Sequence, residues 1–195
     1  MLAWLTIALV LGVTVGTRFV PTAEELRAAF EQGQKFYASG AYDQAIERYR
    51  QVTRSKSDLL DEKAVKVAVG EVNAPLDEVA WYQIGNAFFK MAEEKLERST
   101  SNREERDRTA ATVAADSLFG VAAGDFLKTE EVASGAELRV LARSRVLTCR
   151  YRMRDFAGTV EEARLLLARY PQSGHAEQAM YDIGWSYYDM EEYGQ

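Results

Sequence analysis

A glycine inside a helical stretch, followed by aromatic residues at fixed distances, recurs along this chain of 195 residues. Two segments, 28–52 and 178–195, carry it as Gly33, Phe36 and Tyr42 and as Gly184, Tyr187 and Tyr193. Such self-similarity is typical of repeat proteins, in which each unit buries its apolar face against the next unit. The chain is therefore predicted to form a row of similar units.

The apolar residues from residue 23 onward follow a mostly helical period, so each unit is predicted to be a hairpin of two helices. In the first unit, Gly33 lets the second helix approach closely, at a cost in helix propensity of about 1 kcal/mol. Ala45 also permits close packing, and Phe36 and Tyr49 fill the space between the helices. Gly40 suits a left-handed residue at the end of the first helix.

A third copy begins within residues 78–91, where Trp81, Ile84, Gly85 and Phe88 are in phase with the pattern. Its second helix is displaced along the chain. The small and aromatic residues predicted to match are Ala115, Phe119 and Ala122. The separation from Gly85 to Ala115 exceeds that from Gly33 to Ala45 by about five helical turns. Both helices can therefore lengthen in register, with a polar, exposed tip at residues 97–108.

A fourth, degenerate copy spans residues 137–171. Phe156 matches the aromatic between the helices, Leu147 replaces the glycine, and Pro171 ends the second helix. The connections at residues 53–77 and 123–135 are longer than repeat turns. The first of these contains AVKVAVGEVNAP, which predicts either an irregular excursion or a short extended piece.

Over residues 23–195 the pattern resembles the tetratricopeptide repeat family. It is closest to bacterial envelope members, such as outer-membrane assembly lipoproteins and the cell-division coordinator, and RYPQSGHAEQAMYDIGWSYY is similar to their repeat junctions. The resemblance implies an all-α solenoid of helical hairpins that binds other proteins and has no catalytic site. The chain departs from the lipoprotein members because no cysteine follows its apolar N-terminal run.

Residues 1–20 are apolar except for Arg18, which could reach the lipid headgroups, and their length approaches that of a membrane-spanning helix. We expect an uncleaved transmembrane anchor. The alternatives are a cleaved signal peptide, although no lysine or arginine precedes Arg18, and a buried core helix. The segment that follows begins a soluble helix, with Thr22 as its predicted N-cap.

Residues 1–20 are thus predicted as an anchor or signal segment, and residues 21–195 as a tetratricopeptide-like repeat domain with an incomplete last repeat. A repeat cannot bury its face alone. Either more chain follows Gln195 or a partner covers that face, and we expect more chain.

The first helices of stacked hairpins line the concave side of a repeat array. Residues on the predicted concave face lie one turn before the glycine position, directly after it, or one turn after it. They form the predicted partner-binding site: Phe30, Gln34, Tyr37, Tyr82, Asn86, Phe89, Tyr151, Tyr181, Trp185 and Tyr188. The alternative is that several of the aromatic residues belong to the core. As a binding site, they would form a groove for an extended peptide or a partner helix.

Composition argues against several other functions. The net charge is −6, so a nucleic-acid binder is not expected. One cysteine, Cys149, and one histidine, His175, make a metal cluster or a Ser-His-Asp triad improbable. No paired-carboxylate motif or Gly-rich phosphate loop is recognisable, so no enzymatic activity, metal or cofactor is expected.

An arginine cluster runs through residues 139–154 and could face an acidic partner or anionic headgroups, or simply lie on a solvated helix. The sequence as a whole predicts a non-catalytic interaction scaffold that is anchored at a bacterial membrane through residues 1–20, with its soluble domain in the periplasm. Its partners would be proteins, as an accessory or structural subunit of a multi-subunit membrane complex. The alternative is a periplasmic assembly factor or adaptor that binds client peptides.

Overall fold

The computed structural model describes residues 21–55, 66–101 and 105–191. The predicted anchor or signal segment, residues 1–20, lies outside the described residues. So do residues 192–195, which include Tyr193 of the last repeat.

Seven helices and one β-ribbon make up the described part of the chain. In chain order they are α1 (Ala23–Ala38), α2 (Tyr42–Thr53), β1 (Lys66–Val69), β2 (Val72–Pro75), α3 (Leu76–Ser101), α4 (Glu105–Val132), α5 (Ala136–Arg152), α6 (Phe156–Arg169) and α7 (Ala176–Asp189). Each helix packs chiefly on the helices before and after it in the sequence. The all-helical prediction is confirmed for these residues, with the ribbon as an addition.

The start of α1 is fixed by Thr22, as predicted. The Glu25 amide donates a hydrogen bond to Thr22 Oγ1 (3.2 Å), and the Thr22 amide donates to Glu25 Oε2 (2.7 Å). This reciprocal pair satisfies backbone donors that have no partner inside the helix. Glu24 and Glu25 also place negative charge at the positive end of the helix dipole.

The same turn ends α1, α5 and α7. In each, the residue seven positions after the repeat-glycine position is left-handed: Gly40 (φ 78°), Arg154 (φ 59°) and Glu191 (φ 62°). Its amide donates to the carbonyl three residues earlier, at Tyr37, Tyr151 or Tyr188. The next amide donates back five residues in the first two turns, from Ala41 to Phe36 (2.9 Å) and from Asp155 to Arg150 (3.0 Å). The left-handed residue predicted at Gly40 is confirmed, and the turn itself is a structural repeat.

A glycine under an aromatic ring joins the helices of the first hairpin. Gly33 on α1 is buried, and a Cβ added to it would lie 2.6 Å from Cε1 of Tyr49 on α2. The Tyr49 ring also packs on Phe30, with centroids 5.3 Å apart and planes at 54°. Ala45, one turn before Tyr49, is fully buried. The predicted roles of Gly33, Ala45 and Tyr49 are therefore confirmed.

The second hairpin repeats this contact, but not with the residues predicted from the sequence. A Cβ on Gly85 would lie 2.7 Å from Cε1 of Phe126. Phe126 packs on Tyr82 with the same centroid distance, 5.3 Å, and the same angle, 54°. The match to Tyr49 is thus Phe126, and the prediction of Phe119 is wrong.

The error has a simple cause in the sequence of α4. An alanine followed four residues later by a phenylalanine occurs twice in this helix, at Ala115 and Phe119 and again at Ala122 and Phe126. The two pairs are seven residues apart, which places them on the same face of the helix. Phe119 meets Phe89 instead, at 5.1 Å between ring centroids.

In the third hairpin, α5 with α6, the large and small residues are exchanged. Leu147 occupies the glycine position and Ala163 the position of Tyr49, and both belong to one buried cluster with Leu166 and Ala179. The aromatic pair at the turn is retained. Tyr151 packs on Phe156 at 5.7 Å, as Tyr37 packs on Tyr42 at 5.4 Å.

The β-ribbon precedes α3 and confirms a short extended piece in the long first connection. β1 and β2 are antiparallel, with Lys66 opposite Pro75 and Val69 opposite Val72. Gly70, with φ 59°, lies in the tight turn between them. Ala74 and the first residue of α3, Leu76, are buried and attach the ribbon to the helices.

Among the described helices, α4 alone is long and apolar enough for a membrane-crossing segment by those two criteria. It packs along α3 and α5 through a buried face that includes Ala115, Phe119, Ala122 and Phe126. Within its most apolar stretch 28% of the residues are buried, and a helix packed inside a helical protein can meet the same two criteria.

Candidate protein-binding site

Burial separates three of the ten residues predicted to bind a partner from the other seven. Phe30, Tyr82 and Phe89 have exposed fractions of only 1%, 5% and 3%. The prediction of an accessible groove is wrong for Phe30 and Phe89, because the second helix of each hairpin covers them. Tyr82 is covered in the same way, but it still lines part of a cavity beside α5 and α7. Tyr49 covers Phe30, Phe126 covers Tyr82, and the lengthened α4 brings Phe119 onto Phe89.

The remaining predicted residues of the first two hairpins form no continuous aromatic surface. Gln34 is exposed, and Tyr37 is half-buried against Tyr42. Asn86 is also half-buried, and its amide donates to the side chain of Gln83 at 3.1 Å.

The other four predicted residues come together where α5 meets α7. Tyr181, Trp185 and Tyr188 are exposed, at 59%, 43% and 57%. Their rings form an edge-to-face series, with centroids 5.9 Å apart from Tyr181 to Trp185 and 5.5 Å apart from Trp185 to Tyr188. From α5, the hydroxyl of Tyr151 donates to Asp189 Oδ2 at 3.0 Å, which ties the two helices together.

A groove runs between α5 and α7 beside these rings. One cavity of about 300 Å³ is lined by Tyr151, Tyr181, Asp182 and Trp185. A second, of about 330 Å³, lies nearer to α3, and its lining includes Tyr82, Arg145, Thr148, Gln178 and Asp182. The two cavities share Asp182 as a lining residue, and we call them together the α5–α7 groove.

The α5–α7 groove has one cationic and one anionic side chain. The Arg145 guanidinium lies over the ring of Phe89, 4.2 Å from its centroid, and 5.4 Å from that of Phe126. Opposite it, burial raises the pKa of Asp182, and the 2.8 Å hydrogen bond from Gln178 partly offsets this rise. The groove can therefore offer both a donor and an acceptor to a polar ligand group.

Sequence reasoning missed Asp182 and did not place Arg145 in this groove. Asp182 follows Tyr181 and so lies on the flank of the predicted face, a signal that was available. The position of the Arg145 side chain depends on how α5 packs on α3 and α4. The helical period of α5 alone does not specify this packing.

The arginine cluster of residues 139–154 is largely engaged within the chain. Arg143 is buried between the carboxylates of Glu130 and Glu162. Two others form ion pairs: Arg150 with Asp155 (3.2 Å), and Arg152 with Glu93 (3.3 Å). Arg139 donates to the carbonyl of Ala133 at 2.7 Å. A uniform basic surface for an acidic partner is therefore not present among these side chains.

The described residues contain no group of three or more His, Cys, Asp or Glu side chains that could hold a metal ion. Cys149 is buried, and burial raises the pKa of its thiol to about 12, although Arg145 and Arg150 act in the opposite direction. At neutral pH it is a thiol and a poor nucleophile.

A wider cavity of about 670 Å³ lies between the β-ribbon, the start of α5 and the connection from α6 to α7. Its lining is mainly apolar and includes Val72, Val140, Leu141, Tyr170 and His175. None of the ten predicted residues lines it.

No protein-family model and no curated protein matches the chain. Two solved structures of MamA are similar to it. One, a mutant, is 17% identical with a TM-score of 0.31 and covers 87% of this chain and 85% of its own. The other, from AMB-1, is 16% identical with a TM-score of 0.30 and covers 86% and 84%. At these TM-scores the likeness does not establish a shared fold.

Proposed function

We propose that this chain is a non-catalytic scaffold for protein–protein interaction, built as a tetratricopeptide-like solenoid. One observation carries the proposal. Tyr181, Trp185 and Tyr188 are exposed side by side at the α5–α7 groove, although Phe30 and Tyr82, the equivalents of Tyr181 in the first two hairpins, are covered. Rigid, amphipathic Tyr and Trp side chains grouped in this way are the residues that dominate the binding energy of protein interfaces.

The polar residues of the groove support a peptide or a helix as the ligand. Arg145 and Asp182 supply opposite charges beside the apolar rings, and Thr148 and Gln178 supply hydrogen-bonding groups. Such a mixture fixes the orientation of a bound chain, while the rings provide most of the buried area.

The proposal includes attachment to a bacterial membrane through residues 1–20, with the soluble domain in the periplasm. Its support is the apolar sequence of that segment. On this view the protein is an accessory or structural subunit of a multi-subunit membrane complex. The alternative is an assembly factor or adaptor that binds client peptides.

A mild-detergent pull-down of the tagged chain from its native membranes tests the proposal. The wild type is compared with Trp185→Ala in the groove and with Val113→Ala as a control, since Val113 is 61% exposed on α4 and lines neither cavity of the groove. A set of integral membrane proteins in fixed ratio, lost with Trp185→Ala but kept with Val113→Ala, supports a subunit. A variable set of substoichiometric clients with the same dependence supports the adaptor. Capture that is identical for all three chains contradicts the groove as the binding site.

A further inference from the structure

The outward side of α4 carries a row of exposed residues in alternating steps of four and three. The row begins at Arg106 and ends at Glu131, and it lies opposite the buried face that holds Phe119 and Phe126. Between its charged ends lie Ala110, Val113, Ser117, Gly120, Gly124 and Leu127. This spacing is that of the contact seam between two packed helices, so we call the row the α4 seam.

The α4 seam differs from the exposed residues of the second helix in the other two hairpins. The exposed residues of α2 are all polar: Asp43, Gln44, Glu47 and Arg50. Three of the five exposed residues of α6 are charged. Between residues 109 and 127, by contrast, no exposed residue of α4 is charged. Val113 is 61% exposed and Leu127 37%. Contiguous exposed apolar surface of this kind marks an interaction site.

The neighbouring helices do not cover the α4 seam. α4 packs on α3 and α5, which are both described, so the seam is the outward side of a completed hairpin. Among the described residues, no neighbouring atom lies within 4 Å of a Cβ added to Gly120 or Gly124. The Ser117 hydroxyl donates to the Val113 carbonyl of its own helix at 3.1 Å, so it asks for no other partner. The seam is therefore open to another helix.

The α4 seam is complementary in size to a second α4 that runs antiparallel to it. When the pair is centred between residues 118 and 119, Val113 of each copy faces Gly124 of the other. In the same arrangement Ser117 faces Gly120, and Leu127 faces Ala110. Each larger side chain thus meets a small residue, as a knob meets a hole in packed helices.

The charged ends of the seam select the same arrangement. In the antiparallel pair, Arg106 of each copy faces Glu131 of the other. A parallel pair in register would place arginine on arginine and glutamate on glutamate, which is repulsive. Glu131 also pairs with Lys128 of its own helix at 2.9 Å, and its carboxylate can accept from both cations. Size and charge therefore favour the same register independently.

We propose that two copies of this chain associate through the α4 seam, antiparallel about a two-fold axis, with Val113 of each copy on Gly124 of the other. Such an interface uses the same surface on both copies and closes at a dimer. No residue of the seam lines the α5–α7 groove, so the inference goes beyond the scaffold proposal and does not depend on it. The dimer would carry two of these grooves.

Disulfide trapping of the full chain in mild detergent tests the register. Val113→Cys and Gly124→Cys chains are co-expressed with different tags and oxidised, and the buried Cys149 is left in place. Facing residues of the antiparallel pair lie within reach of a disulfide. In either variant alone, the two new thiols would be 11 residues apart along the helix axes, or about 16 Å. We expect linked dimers that carry both tags, and at most about a tenth as much from either variant alone.

Size-exclusion chromatography with light scattering measures the strength of the association. Gly124→Leu puts a large side chain where Val113 of the other copy should lie, and it meets no described neighbour within its own chain. Ala168→Leu is the matched control, because Ala168 is also a small exposed residue on the second helix of a hairpin. We expect dimers from the wild type and from Ala168→Leu, and a loss of roughly tenfold or more in dimerisation affinity for Gly124→Leu. Circular dichroism verifies that both variants keep their helix content.

Charge reversal tests the direction of the pair. Arg106→Glu would face Glu131 of the other copy at both ends of the seam and should weaken the dimer roughly two- to tenfold. Adding Glu131→Arg to the same chain restores opposite charges and should restore the affinity.

A monomeric wild type overturns the inference. Association that Gly124→Leu leaves unchanged also overturns it, because other residues of the chain would then join the copies. Links that form as readily in either cysteine variant alone as in the co-expressed pair contradict the antiparallel register, and with it the inference. Capture of partner proteins tests the scaffold proposal separately, because it depends on Trp185 and not on the α4 seam.

Discussion

At the residue scale, this protein depends on paired sizes at facing helix positions. A glycine on the first helix accepts a Tyr or Phe from the second, at Gly33 with Tyr49 and at Gly85 with Phe126. The glycine weakens its own helix, but it allows a large ring to be buried at the contact. The loss of helix propensity destabilises the protein and the burial of the ring stabilises it. A glycine-to-alanine substitution, which adds one methyl group, measures the balance between these two free energies.

Gly85→Ala should lower the free energy of unfolding by about 1–3 kcal/mol, because its Cβ would lie 2.7 Å from the buried Phe126 ring. Gly120→Ala should raise it by up to about 1 kcal/mol, since that methyl meets nothing and alanine favours the helix. Urea unfolding followed by circular dichroism checks both values. Equal effects of the two substitutions would show that the ring does not constrain Gly85.

At the element scale, hairpins keep their geometry while exchanging the residues that create it. The third hairpin places Leu147 where the others have glycine and Ala163 where they have an aromatic ring. The total volume at the contact is thus divided differently between the two helices. The left-handed turn and the Tyr151–Phe156 pair are unchanged, so the turn and the inter-helix contact vary independently.

A double-mutant cycle tests this exchange of volume. Ala163→Phe alone should destabilise the protein by about 1–3 kcal/mol through overpacking, and Leu147→Gly alone by about 2–5 kcal/mol through a cavity and lost helix propensity. Leu147→Gly makes room for the new ring, and Ala163→Phe fills the cavity that Leu147→Gly leaves. The double variant should therefore be more stable than the sum of the two single effects predicts. We expect a coupling free energy of about 0.5–3 kcal/mol from urea unfolding. Additive effects would mean that the two side chains do not share one site.

Asp125 on α4 should make the stability of the protein depend on pH. Burial raises its pKa from the ordinary 3.8 to about 6, although Arg50 acts to lower it, and its Oδ2 atom is buried without a hydrogen bond. Because the folded-state pKa is the higher one, the folded protein holds the proton more tightly. The stabilising contribution is complete below the unfolded pKa and is lost as the pH rises through 6.

Asp125→Asn removes this loss, so it should stabilise the protein near pH 7.5 and have little effect near pH 4. The carboxyl group is partly solvated, so we expect a gain of about 1 kcal/mol at the higher pH. Thermal or urea unfolding at both pH values measures it. A gain of the same size at pH 4 would show that the effect is not ionisation.

Sequence patterns predicted the first hairpin in detail, because Gly33, Gly40, Ala45 and Tyr49 are local signals with fixed spacing. The register of the second hairpin was mispredicted, since α4 offers two equivalent alanine–phenylalanine pairs. Choosing between the two pairs requires knowing where the chain reverses direction between α3 and α4.

The same limit applies to the binding face. Phe30 and Tyr181 occupy equivalent positions in equivalent helices, yet one is 1% exposed and the other 59%. Their helical phase, which the sequence gives correctly, is identical. Exposure depends on the second helix that covers the position, and this is a property of packing.

At the scale of the whole molecule, contacts run between neighbours in the row, so cooperativity depends on the contacts between hairpins. One buried network provides such a link between α4, α5 and α6. Glu130 of α4 accepts hydrogen bonds from Arg143, from Arg169 (3.1 Å) and from the Tyr170 hydroxyl (3.3 Å). Arg143 also pairs with Glu162 of α6.

Arg143→Leu would leave Glu130 and Glu162 buried and without this cation, so we expect a loss of about 3–5 kcal/mol in stability. Since the network lies at the boundary between hairpins, native-state hydrogen exchange should show α5–α7 opening separately from α1–α4 in the variant. Lys128→Ala is the control. It removes an exposed ion pair with Glu131 on the same helix and should cost less than about 1 kcal/mol. If α1–α4 and α5–α7 open together in the hydrogen exchange of Arg143→Leu, other contacts couple these two parts of the chain.

The long helices of the second hairpin also give the molecule a lever. With 26 and 28 residues, α3 and α4 extend well past the 12 to 17 residues of the other helices. At 1.5 Å per residue the arm projects roughly 15 Å beyond its neighbours. A small change of tilt at its base, where α4 meets α5, would become a larger translation at its tip. If binding at the α5–α7 groove changes this tilt, a probe attached near residue 105 would move, and its displacement would report the binding.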